Sequence, residues 1–299
     1  MHKPFSLFNI ELTNNCVMKC VMCPRTNNMT RQRGYMDVGL YKKAIDELVE
    51  CNPGFRNSEI LWLHHFGESL LHPEFGRCIA YASRLNIRIG LSINPIMLKD
   101  PIIDELLAAE PYILYVSLDG HDDATFHKIR GIDNIYEISK LRLMAFLREK
   151  VQNRSNILAV LSMIDFNLNH PSIEITRAYW ESIPGIDHFL AKSFTAWDGG
   201  AADVNTFLAG GNPSYDRASV QCTMPWERMT VTWDGTVVPC CFDYDMKYVL
   251  GDMRHETLSD IWNGKRMNRL RKEFTANKVT NPLCRNCERL YLPRDLWNL

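Results

Sequence analysis

Three thiols stand close together near the start of the chain, in Cys16-Val-Met-Lys-Cys20-Val-Met-Cys23-Pro24. They follow an apolar run, Phe5-Ser-Leu-Phe-Asn-Ile-Glu-Leu12, that reads as a strand. Thiolates at this spacing suit a compact iron–sulfur cluster, which normally takes four of them. The fourth is missing locally, because the next cysteine, Cys51, lies a helix away. A cluster held by three cysteines leaves one iron open for a bound molecule, as a catalytic zinc keeps one open position. A zinc site, or three unrelated core thiols, is the alternative reading of the same residues.

A second constellation lies near the other end. Met229-Thr-Val-Thr-Trp233 and Thr236-Val-Val238 flank Asp234-Gly235, a two-residue hairpin signal, with Cys222 before the hairpin and Cys240 after it. A helical stretch from Leu258 to Phe274 leads to Cys284-Arg-Asn-Cys287. Cys222, Cys240, Cys284 and Cys287 would fill a metal site completely, and the residues alone leave zinc and an iron–sulfur cluster both open.

The elements that must position these thiols alternate. Helical spacing covers Val38 to Val49, ended by Asn52-Pro-Gly54, and places Cys51 at the helix end. Strands are expected at 59–65, 87–93, 113–118, 157–164 and 188–194. Helices are expected around Phe75–Leu85 (with Cys78 on the apolar stripe), 101–109, 135–151 and 171–182. Six strands alternating with helices argue for a parallel sheet with helical crossovers, closed part-way into a (β/α)6 barrel, with function at the strands' C-terminal ends. Those ends carry polar residues: His64-His65-Phe66-Gly67-Glu68, then Ser92 and Asn94, Ser117-Leu-Asp119-Gly120, Asp165 and Asn167, and Lys192 with Thr195-Ala-Trp-Asp198-Gly-Gly200. Glycines 199, 200, 210 and 211 and Pro213 break all periodicity, so a long bridging loop follows. The division expected is 1–205 for the barrel and 206–299 for the loop plus a small α+β metal domain.

Composition agrees with such a chain. Its 299 residues are 46% hydrophobic and 23% charged with a net charge of −1, enough for a large core and no electrostatic case for nucleic acid or a membrane surface. No apolar run is long enough to span a bilayer, and the start leads into a strand rather than a signal peptide's apolar core. Ten cysteines then point to metal ligation in a cytoplasmic, oxygen-sensitive protein.

Cys-x3-Cys-x2-Cys after a first strand resembles the radical S-adenosylmethionine (SAM) superfamily. The resemblance implies a SAM-binding [4Fe–4S] cluster on Cys16, Cys20 and Cys23. The amine and carboxylate of SAM would chelate its open iron, reductive cleavage would give a 5′-deoxyadenosyl radical, and a reductant such as flavodoxin or ferredoxin would supply the electron. Phe66-Gly67-Glu68 resembles the family's Gly-Gly-Glu motif with Phe66 at the first glycine, which implies Gly67 and Glu68 at the methionine part of SAM. Ser92 and Asn94 fall where the family contacts ribose or carboxylate. Ser117-x-Asp-Gly followed by Arg130-Gly131 resembles the pattern in which the arginine pairs with the SAM carboxylate, a geometry a guanidinium suits. Cys222, Gly235-x4-Cys240, Leu250-Gly-Asp, Ile261-Trp-Asn-Gly264 and Cys284-x2-Cys287 resemble the SPASM/twitch extension. No cysteine follows Cys287, which implies a single auxiliary [4Fe–4S] cluster, as in the short twitch form.

Seven ligands leave Cys51, Cys78 and Cys241 unassigned. Neighbours on an extended strand point to opposite faces, so with Cys240 on iron, Cys241 is expected to face elsewhere. It is either a packed core thiol or a hydrogen-atom donor facing substrate. Among single-cluster relatives the chain looks most like aminoglycoside-pathway epimerases and dehydrogenases. This implies hydrogen abstraction from a sugar-like or aminocyclitol carbon. Epimerisation would return a hydrogen from a thiol such as Cys241; dehydrogenation would pass an electron to the auxiliary cluster and leave a ketone. Modification of a ribosomal peptide is the further option. Asp119, Asp165, Lys192 and Asp198 are the candidates for holding polar substrate groups.

Overall fold

The computed structural model describes residues 4–192, 197–199, 222–287 and 290. The proposed division at 205/206, most of the bridging loop and Thr195 lie outside these residues. The chain opens with strand β1 (Leu7–Ile10) and a single turn α1 (Pro24–Asn27). There follow α2 (Val38–Cys51), α3 (Phe55–Ser58), β2 (Ile60–Trp62), α4 (Phe75–Arg84), β3 (Arg88–Ile93), α5 (Asp100–Ala109) and β4 (Ile113–Ser117). Next come α6 (Asp123–Arg130), α7 (Tyr136–Gln152), β5 (Leu158–Ile164), α8 (Ile173–Glu181) and β6 (His188–Lys192). Strands β1 to β6 are parallel neighbours in sequence order, and β6 does not close onto β1, so the barrel is open.

Local chemistry explains the elements. Asp37 caps α2 by accepting from the Leu40 amide at 2.9 Å, and Tyr41, Ala44, Ile45 and Leu48 form its buried stripe. The Pro53-Gly54 pair after it cannot continue a helix. Strands such as β5, Leu-Ala-Val-Leu-Ser-Met-Ile, are apolar on both faces because helices cover the outside and side chains fill the inside. Cys78 is buried on α4, within the core.

Three expectations differ from the structure. Helix α6 was not anticipated; it starts at the Asp122 cap, whose carboxylate accepts from the Thr125 amide at 2.7 Å. The long C-terminal helix is two, α10 (Leu258–Asn263) and α11 (Lys265–Thr275), broken at Gly264. The hairpin of β7 (Met229–Val231) and β8 (Thr236–Val238) turns through three residues, because Thr232 still pairs with Thr236 through N–H···O at 2.9 Å.

The hairpin also does more than carry cysteines. Strand β7 lies parallel against β1, and β8 and β9 (Gly251–Asp252) extend the same sheet to nine strands. The C-terminal region therefore continues the barrel sheet past β1. Helix α9 (Met224–Glu227) precedes β7, and the Leu258 amide donates to Glu47 of α2 at 2.6 Å.

Candidate active site

A cavity of about 730 Å³ opens at the C-terminal ends of the strands. Cys16, Cys20 and Cys23 are on its wall, in a loop held from two sides. On one side the Lys19 and Val21 amides donate to the carbonyls of Arg130 (3.1 Å) and Ile129 (2.9 Å) at the end of α6. Gly131 makes that contact possible: its φ is +72°, and a Cβ there would sit 2.4 Å from the Lys19 carbonyl. On the other side Gly67 lies against β1's extension, where a Cβ would come within 2.0 Å of the Thr13 carbonyl, and the Glu68 amide donates to Asn15 O at 2.7 Å. The motif glycine is thus needed for backbone-to-backbone approach.

Burial pushes the Cys16 thiol up to about 11, with Glu68 next in effect, and the Cys23 thiol up to about 12, with Cys20 next. Crowded thiols of this kind give up their protons to a metal cation, whose charge replaces the proton's. Arg130 donates from Nη1 to Cys20 Sγ at 3.4 Å and to Asn94 Oδ1 at 3.2 Å, and its Nη2 pairs with Asp119. Burial works against the Arg130 charge; Asp119 and then the thiols outweigh it and hold the guanidinium protonated.

The expected SAM contacts divide. Gly67, Ser92, Asn94, Ser117 and Arg130 all reach the cavity wall. Glu68 does not. It is fully buried behind Asn94, with Oε2 accepting from the Asn94 amide (2.7 Å) and Nδ2 (2.9 Å) and Oε1 from the Leu70 amide (3.2 Å). Burial raises its pKa to about 7 against those hydrogen bonds. In this arrangement Glu68 orients Asn94.

The expected substrate contacts divide too. Lys192 is on the cavity wall. Asp119 is also there, but its Oδ1 accepts from the Ile164 amide at 2.6 Å and its other oxygen is against Arg130, so it braces the guanidinium. Asp165 is off the wall, paired with His170 at 2.8 Å. Asp198 is buried off the wall and holds Lys247 Nζ at 2.5 Å. A strand-end position alone does not say whether a carboxylate is already taken.

The second thiol set gathers around a small cavity of about 30 Å³, lined by Cys222, Cys240, Cys241, Cys284 and Cys287 with Met224, Phe242, Phe274, Leu283 and Leu290. Burial raises the Cys240 thiol well above its usual value, and Cys241, Cys284, Cys287 and Cys222 add to the rise. The Cys284 turn is set by Asn281, whose side chain accepts from the Cys284 amide at 2.9 Å and donates to Glu273 at 2.9 Å. Among the described residues no three Cys, His, Asp or Glu side chains converge on a point close enough for one metal ion. Thiolates that each meet a different iron of a cluster stand further apart than those around a single ion.

Cys241 departs from expectation. Strand β8 ends at Val238, before Pro239, so Cys240 and Cys241 occupy a turn and not an extended strand. Both therefore line the small cavity, and Cys241 also lines the large one. Met224 and Phe242 share that double position.

Sequence reading missed the seam between the two sites. Glu11, fully buried, takes a bidentate pair from Arg31, whose Nε donates to Tyr244 O at 2.7 Å. His65 Nε2 donates to the Cys241 carbonyl at 2.8 Å while its Nδ1 lies 3.5 Å from Glu11. Trp197 donates to Met22 O at 3.1 Å, stacks edge-on against Phe66 and Phe242, and accepts from Cys287 Sγ at 3.7 Å through its carbonyl. A carboxylate inside an apolar strand, Glu11, was the visible signal for this network.

These two thiol sites on one open parallel barrel define the class. The sequence profile of the radical SAM superfamily matches residues 10–165, and that of the iron–sulfur cluster-binding SPASM domain matches residues 222–288. The chain belongs to the radical SAM superfamily. Its radical SAM domain implies SAM and a [4Fe–4S] cluster, and its SPASM domain an auxiliary iron–sulfur centre. It is 22% identical over 288 residues to the S-adenosyl-L-methionine-dependent 2-deoxy-scyllo-inosamine dehydrogenase of Niallia circulans, covering 96% of this chain and 94% of that one. It is 22% identical to the PqqA peptide cyclase of Gluconobacter oxydans over 96% of this chain and 83% of that one. It shares the fold of BtrN in complex with AdoMet and 2-DOIA, with a TM-score of 0.62 at 18% identity over 96% of this chain and 94% of that one. Among the described residues no helix is long and apolar enough to cross a membrane.

Proposed function

We propose that this radical SAM enzyme abstracts hydrogen from a carbon of a sugar-like or aminocyclitol substrate in the large cavity and epimerises that carbon. Cys16, Cys20 and Cys23 would hold the SAM-side cluster, and Cys222, Cys240, Cys284 and Cys287 the auxiliary one. When bound, the first cluster with SAM supplies a hydrogen-abstracting radical, and the second supplies a one-electron donor or acceptor. Arg130 and Asn94, braced by Asp119 and Glu68, orient the bound SAM; Ser92, Ser117 and Gly67 shape its bed. Electrons enter from a reductant such as flavodoxin or ferredoxin.

The observation that carries the reading is the place of Cys241 in the wall between the two cavities. Its S–H bond breaks as a C–H bond forms on the opposite face of the substrate carbon, and the thiyl left behind regains an electron and a proton. The His65 side chain fixes this residue by its carbonyl.

Dehydrogenation is the second reading, favoured by the likeness to the Niallia circulans dehydrogenase over nearly the whole of both chains. There the carbinol radical loses a further electron and a proton, and a ketone results. Wild type and Cys241→Ala, run with SAM and reductant in deuterated water on a panel of sugars and aminocyclitols, separate the two. One deuterium gained in a product of otherwise unchanged mass, lost in the variant, is expected. A product two hydrogens lighter, formed equally by both proteins, would instead establish dehydrogenation. Turnover only of a peptide would move the chain toward the PqqA-cyclase type of chemistry.

A further inference from the structure

Among the described residues, the large cavity carries more positive charge than its carboxylates offset. Its charged wall residues are Arg25, Arg130, Lys192 and Arg228 against Asp119 and Glu227. Arg25 is spent on the Met18 carbonyl, and Arg130 on Asp119, Asn94 and Cys20. Lys192 and Arg228 differ. Lys192 stands at the end of β6 with its Nζ 4.8 Å from the centre of the Tyr115 ring, and no acceptor among the described residues holds the ammonium. Arg228 lies with Cζ 5.1 Å from the centre of the Phe8 ring, and its Nε, like that of Arg130, is buried without a hydrogen-bond partner; unlike Arg130 it makes no side-chain hydrogen bond to a cavity-wall residue among the described residues. Its neighbour Glu227 comes only to 3.7 Å, beyond hydrogen-bond reach, and is 44% exposed.

A half-buried cation resting on an aromatic face has lost part of its water and gained only a weak partner. Burial draws the Lys192 amine below its usual value, Asp119 opposes this, and Arg130 adds to it.

We propose that Lys192 and Arg228, both on the wall of this cavity, are anion-recognising groups and that the substrate is an acid, a sugar-like molecule bearing a carboxylate or a phosphate. This rests on the reading that the large cavity is the substrate site. An ammonium and a guanidinium give charge-assisted hydrogen bonds to either group, the guanidinium with two parallel bonds. The same charges select against a cationic aminocyclitol.

The test is calorimetric binding to the reconstituted holoenzyme with SAM. The panel is a hexuronate, a hexose phosphate, the neutral hexose, an aminocyclitol and a non-sugar carboxylate of similar size. At least one sugar acid is expected to bind tenfold or more tighter than the neutral hexose, and the uronate and phosphate arms tell which acid it is. Lys192→Met should weaken that acid about ten- to a hundredfold and leave SAM and the neutral sugar unaffected. Arg228→Gln should act in the same direction but less, because its side chain is 29% exposed. Iron content and circular dichroism establish that both variants are folded and loaded. The proposal is overturned if no acid outbinds the neutral hexose, if the aminocyclitol binds as tightly as the acids, or if Lys192→Met weakens SAM instead of the acid. A non-sugar acid that binds as well as the sugar acid, in a Lys192-dependent way, would keep the anion-recognising groups and remove the sugar. An aminocyclitol that binds and turns over would do the reverse.

Discussion

The two thiol sites are built on opposite principles. Around Cys16, Cys20 and Cys23 the wall is polar and wired: Arg130, Asp119, Asn94 and, behind them, Glu68 form one connected network. Around Cys222, Cys240, Cys284 and Cys287 the wall is sulfur and hydrocarbon, with no charged side chain among the described residues lining it. Fixed dipoles and paired charges suit a polar, charged occupant, whereas a wall of thiols and hydrocarbon suits an occupant held by the thiols alone and kept dry. The polar site is accordingly the more fragile to single substitutions, since each buried partner removed leaves another uncompensated.

Removing one end of its ion pair gives the largest effect. Arg130→Met strands the Asp119 carboxylate, 1% exposed, and should cost about 3–5 kcal/mol in urea unfolding together with SAM binding. A loss below about 1 kcal/mol would mean that water reaches Asp119 and that the polar site is not sealed.

Next is the close approach beside the Cys16–Cys23 loop. Gly67→Ala places a methyl against the Thr13 carbonyl, and a cost of about 1–3 kcal/mol with weakened SAM binding is expected. An iron loss from the Cys222 set as large as that from the Cys16 set would mean that the two regions are not separable.

The seam between the regions gives a pH signature. Burial alone would raise the Glu11 carboxyl, but the adjacent His65 ring and the charge and hydrogen bonds of Arg31 outweigh it and hold the group well below the usual carboxylate range. Its stabilisation is therefore complete above its unfolded value and disappears as pH falls below about 4.5 toward the folded value. Glu11→Gln should be less stable than wild type at pH 7 and nearly equal to it in strong acid. Parallel denaturation curves at all pH values would detach Glu11 from the seam.

The smallest effect belongs to an expected substrate residue. Asp165→Asn breaks only a part-exposed pair with His170, so stability should change by less than about 0.5 kcal/mol and substrate affinity not at all. A loss of affinity would return Asp165 to the cavity wall.

Much was legible before the fold. Spacing picked out Cys16, Cys20 and Cys23, alternation gave six barrel strands in order, and turn residues marked the hairpin. Each depends on neighbours within a few positions. The Gly67 motif was also visible, although its reason, contact with Thr13, was not.

What local sequence determined about this protein is its thiol spacing, its strand–helix alternation and hence its class. Tertiary structure alone decided which strand-end groups are still available. Asp119 was already bound to Arg130, Asp198 to Lys247 and Glu68 to Asn94, whereas Lys192 was left facing the cavity. It also decided that β7 lies parallel to β1, which sets Cys241 between the two sites. The physical reason is one of range. A motif is written in consecutive residues, but the partner that neutralises a buried charge comes from an element tens of residues away, and only the folded chain brings the two together.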